Sequence, residues 1–266
     1  MGELIFVGLG LNDDRGISLR ALEETKTADH VFIELYTSLL PDFSIERFAQ
    51  ASGKTPRIVT RKELEEDGGE LVLNAAHVGK TVLLVPGDPL IATTHIALRI
   101  AAVKQKTKTR IIHGTSILSA AIGLSGLHNY KFGKSVTIPF PDETPATTPY
   151  HVIGQNMRLG LHTLCLLDIK TDEKRYLTIN EGLKELVRIE NEKKEGVIQD
   201  DTIAVGVVRA GSTDPEVKAG FVAKLLHHQF GPPPHTLIFA GKLHFMEADA
   251  LITLAAGPEV LRRLSE

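Results

Sequence analysis

The sequence predicts an α/β protein of two domains, with a parallel sheet in the first domain and a mixed sheet in the second. Strand and helix patterns alternate over the first 113 residues, and their spacing becomes less regular after about residue 130. The length of 266 residues suits two domains of ordinary size. We therefore predict an N-terminal α/β domain over residues 1–113 and a C-terminal α+β domain over residues 114–266, with the linker near His113–Ser116.

In the first domain, short runs of buried-type residues alternate with helix patterns. Repeated strand–helix–strand crossovers imply parallel strands joined by right-handed connections. Ser44 opens one of the helix patterns, where its hydroxyl can cap the helix. The predicted strands are Leu4–Val7, Val31–Leu35, Arg57–Val59, Thr81–Val85 and Arg110–His113, and the predicted helices are Ile17–Lys26, Ser44–Ala51, Arg61–His77 and Thr93–Lys106.

In the second domain, a loop precedes the regular elements. Four prolines between Pro139 and Pro149 interrupt a polar stretch, which predicts a loop after about residue 130. Beyond it the strand patterns are His162–Ile169, Thr202–Ala210 and His235–Ala240, and the helix patterns are Leu177–Glu192, Pro215–His228 and His244–Ala256.

Composition argues against several classes of protein. The net charge of −3 and the absence of a basic arm disfavour a nucleic-acid partner. No apolar run approaches the roughly 18 residues of a membrane span. The one cysteine, Cys165, lies in an apolar run, so we predict a core residue, no disulfide and a cytoplasmic location. The eleven histidines form no metal-binding pattern such as HExxH, so no metal is predicted.

The first candidate ligand loop follows the first predicted strand, in the sequence Val7-Gly8-Leu9-Gly10-Leu11-Asn12. Glycines there let the backbone turn tightly and approach a ligand closely. A dinucleotide-binding loop would have a third glycine where this chain has Asp13. It would also have an acidic residue at the end of the second strand, for which Glu34 is only loosely placed. A dinucleotide ligand is therefore disfavoured, because Asp13 would repel its phosphates.

The second candidate loop is Pro86-Gly87-Asp88-Pro89, directly after the strand that ends at Val85. In open α/β sheets, ligands bind at the carboxyl ends of the strands. Asp88 could accept hydrogen bonds from ribose hydroxyls or from a cationic amino acid group, since a buried carboxylate needs partners. The alternative, equally open on local pattern alone, is a rigid turn in which Asp88 caps the following helix.

The third candidate loop is His113-Gly114-Thr115-Ser116, which again follows a strand and precedes an apolar helix pattern. Ser116 is also a natural helix cap, so the local pattern leaves both roles open. Because parallel strands end at one edge of a sheet, we expect the three loops to lie together. His235 opens a strand after Gly231-Pro232-Pro233-Pro234, and a structural role and a ligand contact are equally compatible with that position.

Taken together, these motifs resemble the tetrapyrrole methylase superfamily of S-adenosylmethionine-dependent methyltransferases. That superfamily opens with a strand and a GxGxG-like loop and carries a Gly-Asp-Pro loop after strand four, as in Gly8-Leu9-Gly10 and Gly87-Asp88-Pro89 here. Within it, the chain is most similar to the branch that acts in diphthamide biosynthesis. The similarity is carried by GLGLNDDRGISLRALE, FIELYTSLL, PGDPLIATTH, GLHNYKFGKS, GLHTLCLLDIK, RAGS and FGPPPHTLIFAGKLHFMEA.

The resemblance implies a two-domain fold with S-adenosylmethionine in the cleft between the domains, and a homodimer. It implies a protein substrate, the 3-amino-3-carboxypropyl-histidine of translation elongation factor 2, whose amino group is methylated to form diphthine. The compact chain is similar to archaeal enzymes that stop at trimethylation, although the sequence leaves the number of methyl groups open. The cofactor contacts implied by the resemblance are Leu11, Asp88, Ile91, Ser116, Ile117, Leu167, Ala210 and His235.

The sequence contains no nucleophile–base pair, so no catalytic base is named. We expect the enzyme to act by aligning a neutral amine with the methyl–sulfur bond, in surroundings that lower the pKa of the amine. Three alternatives remain. One is a precorrin or porphyrin methylase, which Asn12 in place of the superfamily's third glycine disfavours. The others are a nicotinamide-dependent oxidoreductase and a cofactor sensor without catalytic activity.

Overall fold

The strand patterns of the first half form one parallel sheet in the computed structural model, which describes residues 2–266. All four pairings between neighbouring strands are parallel, which confirms the predicted arrangement. The spatial order is β3-β2-β4-β1-β5. The strands are β1 (Glu3–Gly8), β2 (His30–Ile33), β3 (Arg57–Ile58), β4 (Lys80–Val85) and β5 (Lys108–Ile112).

Helices cover both faces of this sheet. Residues Ile5 and Val7 of β1 contribute to one core with α1 (Leu19–Lys26) and α2 (Ile45–Ser52). The alternate residues Leu4 and Phe6 contribute to the other core with α3 (Glu70–Val78) and α4 (Ile96–Lys104). Successive side chains of a strand point to opposite faces, so a strand covered on both sides is apolar throughout. The predicted cap of α2 is confirmed, since the Ser44 hydroxyl accepts from Arg47 N.

The helix predicted over Arg61–His77 is wrong as a single element. A π-helical turn at Lys62–Glu66 is followed by α3, which begins only at Glu70. Gly68 and Gly69 separate the two with φ angles of 66° and 71°. A right-handed helix cannot continue through residues in the left-handed region, so the glycine pair ends the first turn and starts a new helix.

The second half contains a mixed sheet, as predicted. Its order is β11-β10-β12-β7-β6, in which β6 and β7 are parallel and the other pairs antiparallel. A separate pair is formed by β8 (Ile169–Lys170) and β9 (Arg175–Tyr176). The strands of the mixed sheet are β6 (Val136–Ile138), β7 (Thr163–Leu167), β10 (Ile203–Val208), β11 (Glu216–Phe221) and β12 (His235–Phe239). The helices are α5 (Ile117–Ser125), α6 (Thr147–Arg158), α7 (Ile179–Lys193), α8 (Val222–Leu225), α9 (Phe245–Leu254) and α10 (Leu261–Leu264).

The chain divides into two compact units. The first runs to Ile117 and also holds Thr171–Glu173, and the second comprises Leu118–Lys170 and Lys174–Glu266. Within residues 2–266, no helix is long and apolar enough to cross a membrane, and no group of three or more His, Cys, Asp or Glu side chains is arranged to hold a metal ion.

Two predictions in the second half are wrong. The helix predicted over Pro215–His228 is instead strand β11 followed by the single-turn α8, because β11 pairs along its whole length with β10. Strand pairing outweighs the weak helix propensity of such a segment. The proline-rich loop after residue 130 also contains β6 and the start of α6. Pro149 is tolerated as the third residue of α6, where a backbone N–H has no partner within the helix.

Cys165 is a core residue, as predicted. It lies in the middle of β7, fully buried among the side chains of the second unit's core. Burial raises the pKa of its thiol, because the thiolate would lose its hydration. Cys165 is therefore a packing residue rather than a nucleophile.

Candidate functional site

The three candidate loops of the first unit meet at the carboxyl edge of its sheet, as predicted. Gly10 and Gly87 form a two-way bridge, with N–O distances of 3.2 Å and 2.8 Å. A Cβ atom on Gly114 would lie 2.3 Å from the Gly87 carbonyl oxygen, and one on Gly8 would lie 2.5 Å from Gly114 N. The loops are thus in backbone-to-backbone contact, which only glycine allows at these positions.

The order of the strands makes this edge a natural ligand site. After β1 the chain moves across the sheet to β2 on one side, and after β4 it moves to β5 on the other. Right-handed crossovers therefore send the two connections to opposite faces, so the loops that leave the adjacent strands β1 and β4 diverge. Such a switch point opens a crevice at the strand ends, where ligands bind in open α/β sheets.

Asp88 does not cap the following helix, so the capping role in that alternative is wrong, although Asp88 does stabilise a turn. The helix begins only at Ile96, and its N-cap residue is His95. The Asp88 carboxylate is nearly buried and lies within the loop instead. Its Oδ1 accepts from Leu90 N at 3.1 Å, and its Oδ2 lies 2.7 Å from His113 Nδ1. Asp88 therefore shapes its own loop and links that loop to the one after β5.

The other first-unit candidates lie on the same three loops. Leu11 follows Gly10 and is partly buried, and Ile91 is 41% exposed although it is a large apolar residue. Ser116 is the last residue of the third loop, and Ile117 begins α5. Next to Leu11, the side-chain oxygen Oδ1 of Asn12 is buried without a hydrogen-bond partner. An unpartnered buried acceptor on the first loop and an exposed apolar side chain after the second are compatible with a ligand that is part polar and part apolar.

Glu34 cannot serve as the ribose-binding acid of a dinucleotide fold. It is fully buried, and its Oε2 accepts from Tyr36 N at 2.9 Å and Thr37 N at 3.1 Å. Its Oε1 accepts from the Thr37 hydroxyl and lies 3.3 Å from His95 Nε2. A carboxylate committed to these partners has no exposed acceptor for a ligand, which counts against the nicotinamide-dependent alternative.

The three second-unit candidates share one edge of the mixed sheet. Leu167 ends β7, His235 begins β12, and Ala210 is the second residue after the end of β10. Because β12 runs antiparallel to both neighbours, its beginning lies beside the ends of β7 and β10. The register pairs His235 with Val208 and Thr236 with Leu166. The structure therefore brings Leu167, Ala210 and His235 together within the second unit.

The imidazole of His235 has partners on both sides within the protein. Its Nε2 donates to the Gly231 carbonyl at 2.7 Å, and its Nδ1 accepts from Ile179 N at 3.2 Å. Burial lowers the pKa of His235, which favours this neutral form. The ring nitrogens hold the 231–235 turn against α7, so a ligand contact at this residue would be made by its backbone.

Sequence reasoning missed the link between Asp88 and His113 and the pair formed by Glu34 and His95. Each pair joins segments that follow different strands, so no local sequence pattern predicts the pairing. The only available signal was that Glu34, Asp88 and His113 stand at or near predicted strand ends, whereas His95 falls within a predicted helix.

The comparisons with known proteins agree with this architecture. The chain belongs to the tetrapyrrole (corrin/porphyrin) methylase family, whose model matches residues 3–226. This is a family of S-adenosylmethionine-dependent methyltransferases, and the resemblance identified from the sequence is confirmed.

The individual relatives are more specific. The diphthine synthase of Methanocaldococcus jannaschii is 46% identical over 93% of this chain and 97% of the relative. That of Methanosarcina mazei is 45% identical over 96% of this chain and 97% of the relative. A crystal structure of diphthine synthase, 40% identical, has a TM-score of 0.90 over 98% of this chain and 99% of the other. The precorrin and nicotinamide alternatives are not favoured by these findings.

Gly114→Ala is expected to disrupt the loop edge, by which we mean the carboxyl edge of the first sheet where the loops of residues 7–12, 86–89 and 113–116 meet. The added Cβ would meet backbone atoms of Gly87, Gly8 and Gly10 at 2.3 Å, 2.8 Å and 2.9 Å, and none of these can move independently. We expect at least a tenfold loss of S-adenosylmethionine affinity in calorimetry and a loss of about 1–3 kcal/mol in the free energy of unfolding. The matched control is Gly123→Ala in α5, where a Cβ meets nothing within 4 Å. It should keep the affinity, and equal affinity of both variants would contradict the prediction.

Proposed function

We propose that this chain is a diphthine synthase. In this proposal it uses S-adenosylmethionine to methylate the amino group of the 3-amino-3-carboxypropyl-histidine of translation elongation factor 2, three times as in the compact archaeal form. The observation that carries the proposal is the similarity to a named diphthine synthase over 93% of this chain and 97% of the relative. The loop edge of the first unit supports it, because its glycine contacts and switch point suit a ligand.

The proposed cofactor contacts are the ones named from the sequence. S-adenosylmethionine, when bound, supplies an electrophilic methyl group, so the protein needs no nucleophile of its own. The proposed residues of the first unit lie on or next to its loops, and those of the second unit lie at one edge of its mixed sheet. The set comprises Leu11, Asp88, Ile91, Ser116, Ile117, Leu167, Ala210 and His235.

Positioning is the main catalytic task that we assign to these residues. Holding two reactants in line can lower the barrier by roughly 7–11 kcal/mol. The amine must be neutral to attack, and apolar surroundings disfavour its charged form. The apolar side chains of Leu11, Ile91 and Leu167 are suited to providing such surroundings. The contacts of Asp88 support a loop of fixed shape, as in-line attack requires.

We further propose that the enzyme is a cytoplasmic homodimer. An apolar stripe on α4 supports the dimer: Ile96, Ile100 and Val103 are 48%, 49% and 57% exposed and fall on one face of the helix. Sedimentation equilibrium should give twice the mass of the chain, and the mass of one chain would contradict the dimer.

The function is tested by incubating the protein with methyl-radiolabelled S-adenosylmethionine and elongation factor 2. The factor should carry the unmethylated 3-amino-3-carboxypropyl group. Label is expected on this factor and not on a factor whose histidine is unmodified. A precorrin and a porphyrin serve as competing acceptors. No label on the modified factor would overturn the proposal, and label on the precorrin instead would favour the tetrapyrrole alternative.

A further inference from the structure

His113 and Asp88 form a paired histidine and carboxylate at the loop edge of the first unit. The Asp88 side chain is 5% exposed, whereas that of His113 is 74% exposed, and the atoms Oδ2 and Nδ1 are 2.7 Å apart. In this pair the carboxylate is buried and the imidazole is exposed. The buried Asp88 is held in place, and its contact with His113 orients the exposed ring.

The pairing sets the tautomer of the imidazole. An ionised carboxylate only accepts hydrogen bonds, so neutral His113 must carry its proton on Nδ1 and donate it to Asp88. Its Nε2 then has a free lone pair, and within residues 2–266 no hydrogen bond to this nitrogen is found. An oriented imidazole with an accessible unprotonated nitrogen is the arrangement of a general base.

The position of His113 relates it to the proposed methyl transfer. It immediately precedes Gly114, whose backbone touches those of Gly8 and Gly87. It is therefore one residue away from the point where the three loops meet. Asp88 is the charged side chain that pairs with it. Arg110, in the middle of β5, is paired instead with Glu3 and Glu24.

We propose that His113 is the general base of the reaction and that Asp88 orients it; this proposal rests on the proposed function. His113 Nε2 takes a proton from the substrate ammonium and leaves a neutral amine. The amine lone pair then attacks the methyl carbon, so that a nitrogen–carbon bond forms while the carbon–sulfur bond breaks and its electron pair stays on sulfur. Each transfer consumes one cofactor and releases one proton, which leaves His113 to solvent before the next transfer.

This assignment replaces the expectation that positioning alone suffices. Imidazole is the side chain whose charge changes in the physiological pH range, so it can accept and release a proton in each cycle. No sequence pattern singles out His113 as a base, because its partner is 25 residues away in the chain. Asp88 retains lone pairs for a cofactor contact, since each oxygen accepts only one bond within the protein.

The test compares His113→Asn with His30→Asn in the labelling assay. The asparagine amide at position 113 can still donate to Asp88, which keeps the loop, but it cannot accept a proton. His30 is an exposed residue that begins β2, at the opposite edge of the same sheet. For His113→Asn we expect kcat at pH 7 to fall by a factor of about 100 or more, with S-adenosylmethionine affinity within about twofold of wild type. His30→Asn should match the wild type in both.

Two further readouts separate a base from a structural residue. The rate of His113→Asn should rise with pH without levelling near neutrality, and added imidazole should restore part of it. A wild-type kcat in His113→Asn would overturn the proposal, as would a loss of cofactor affinity that accounts for the whole loss of rate. Failure of the wild type to label the modified factor would instead overturn the proposed function, and the base assignment with it.

Discussion

Asp88→Ala is expected to weaken S-adenosylmethionine binding about 10- to 150-fold, a loss of about 1.5–3 kcal/mol, without unfolding the protein. That range is the cost of removing a charged group from a hydrogen-bonded network. The substitution deletes the acceptor for Leu90 N and His113 Nδ1, so the loop that carries Ile91 loses its shape. Isothermal titration calorimetry gives the affinity, and thermal unfolding gives the stability.

Asp88→Asn is the matched control for charge. Its amide oxygen can still accept the hydrogen bond from Leu90 N. Its amide nitrogen, however, replaces the oxygen that faces His113 Nδ1 and cannot accept a hydrogen bond from it. We expect affinity closer to the wild type than in Asp88→Ala, together with a reduced rate of transfer. Unchanged affinity in Asp88→Ala would contradict the prediction. It would show that Asp88 stabilises the turn but does not contact the cofactor.

Glu247→Ala is expected to cost about 3–5 kcal/mol in the free energy of unfolding, the largest stability effect that we predict. Glu247 is fully buried, and its carboxylate accepts from four donors. Lys131 Nζ and His162 Nε2 donate at 2.6 Å and 2.9 Å, and the backbone N–H groups of His128 and His244 at 2.8 Å and 2.9 Å. Removing the acceptor leaves a lysine and a buried histidine without their partner.

Denaturant titration checks the effect, with Glu259→Ala as control. Glu259 pairs with Arg262 on the surface, where solvent screens the ion pair and its contribution to stability is small. We expect Glu259→Ala to change stability by less than about 0.5 kcal/mol. Equal stabilities of the two variants would show that the buried carboxylate contributes no more than a surface pair.

Glu247 also makes stability depend on pH. Burial alone would raise its pKa, but the donors from His244, Lys131, His128 and His162 outweigh burial and lower the pKa from 4.5 to about 2. Because the folded pKa lies below the unfolded one, the stabilisation is fully present above about pH 4.5 and is lost as the pH falls towards 2. The shift corresponds to about 3 kcal/mol. This pH-dependent loss should be absent in Glu247→Ala.

Apart from the helix predicted over Arg61–His77, the first unit was predictable because its pattern is regular. Strands covered on both faces give continuous apolar runs, as in residues 82–85, and the helices between them have clear starts such as Ser44. The second unit was less so, since Glu216–Phe221 is a strand only because β10 pairs with it. Such pairing depends on residues far away in the chain, which a local pattern does not contain.

The candidate site was likewise only partly predictable from local sequence patterns. Gly8, Gly87 and Asp88 were named from the sequence because glycines and a carboxylate after strands are local signals. The pairing of Asp88 with His113 depends on β4, β1 and β5 lying side by side in that order. The buried Glu247 had no signal of its own, since its donors come from separate segments of the second unit.

The most direct test of the proposed function is to locate the transferred methyl groups on elongation factor 2. After incubation with methyl-labelled S-adenosylmethionine, the peptide that contains the modified histidine is isolated and fragmented by mass spectrometry. We expect the label to lie on the amino nitrogen of the 3-amino-3-carboxypropyl group, and Asp88→Ala to slow its appearance. Label confined to the carboxyl group, or to a different residue of the factor, would contradict it.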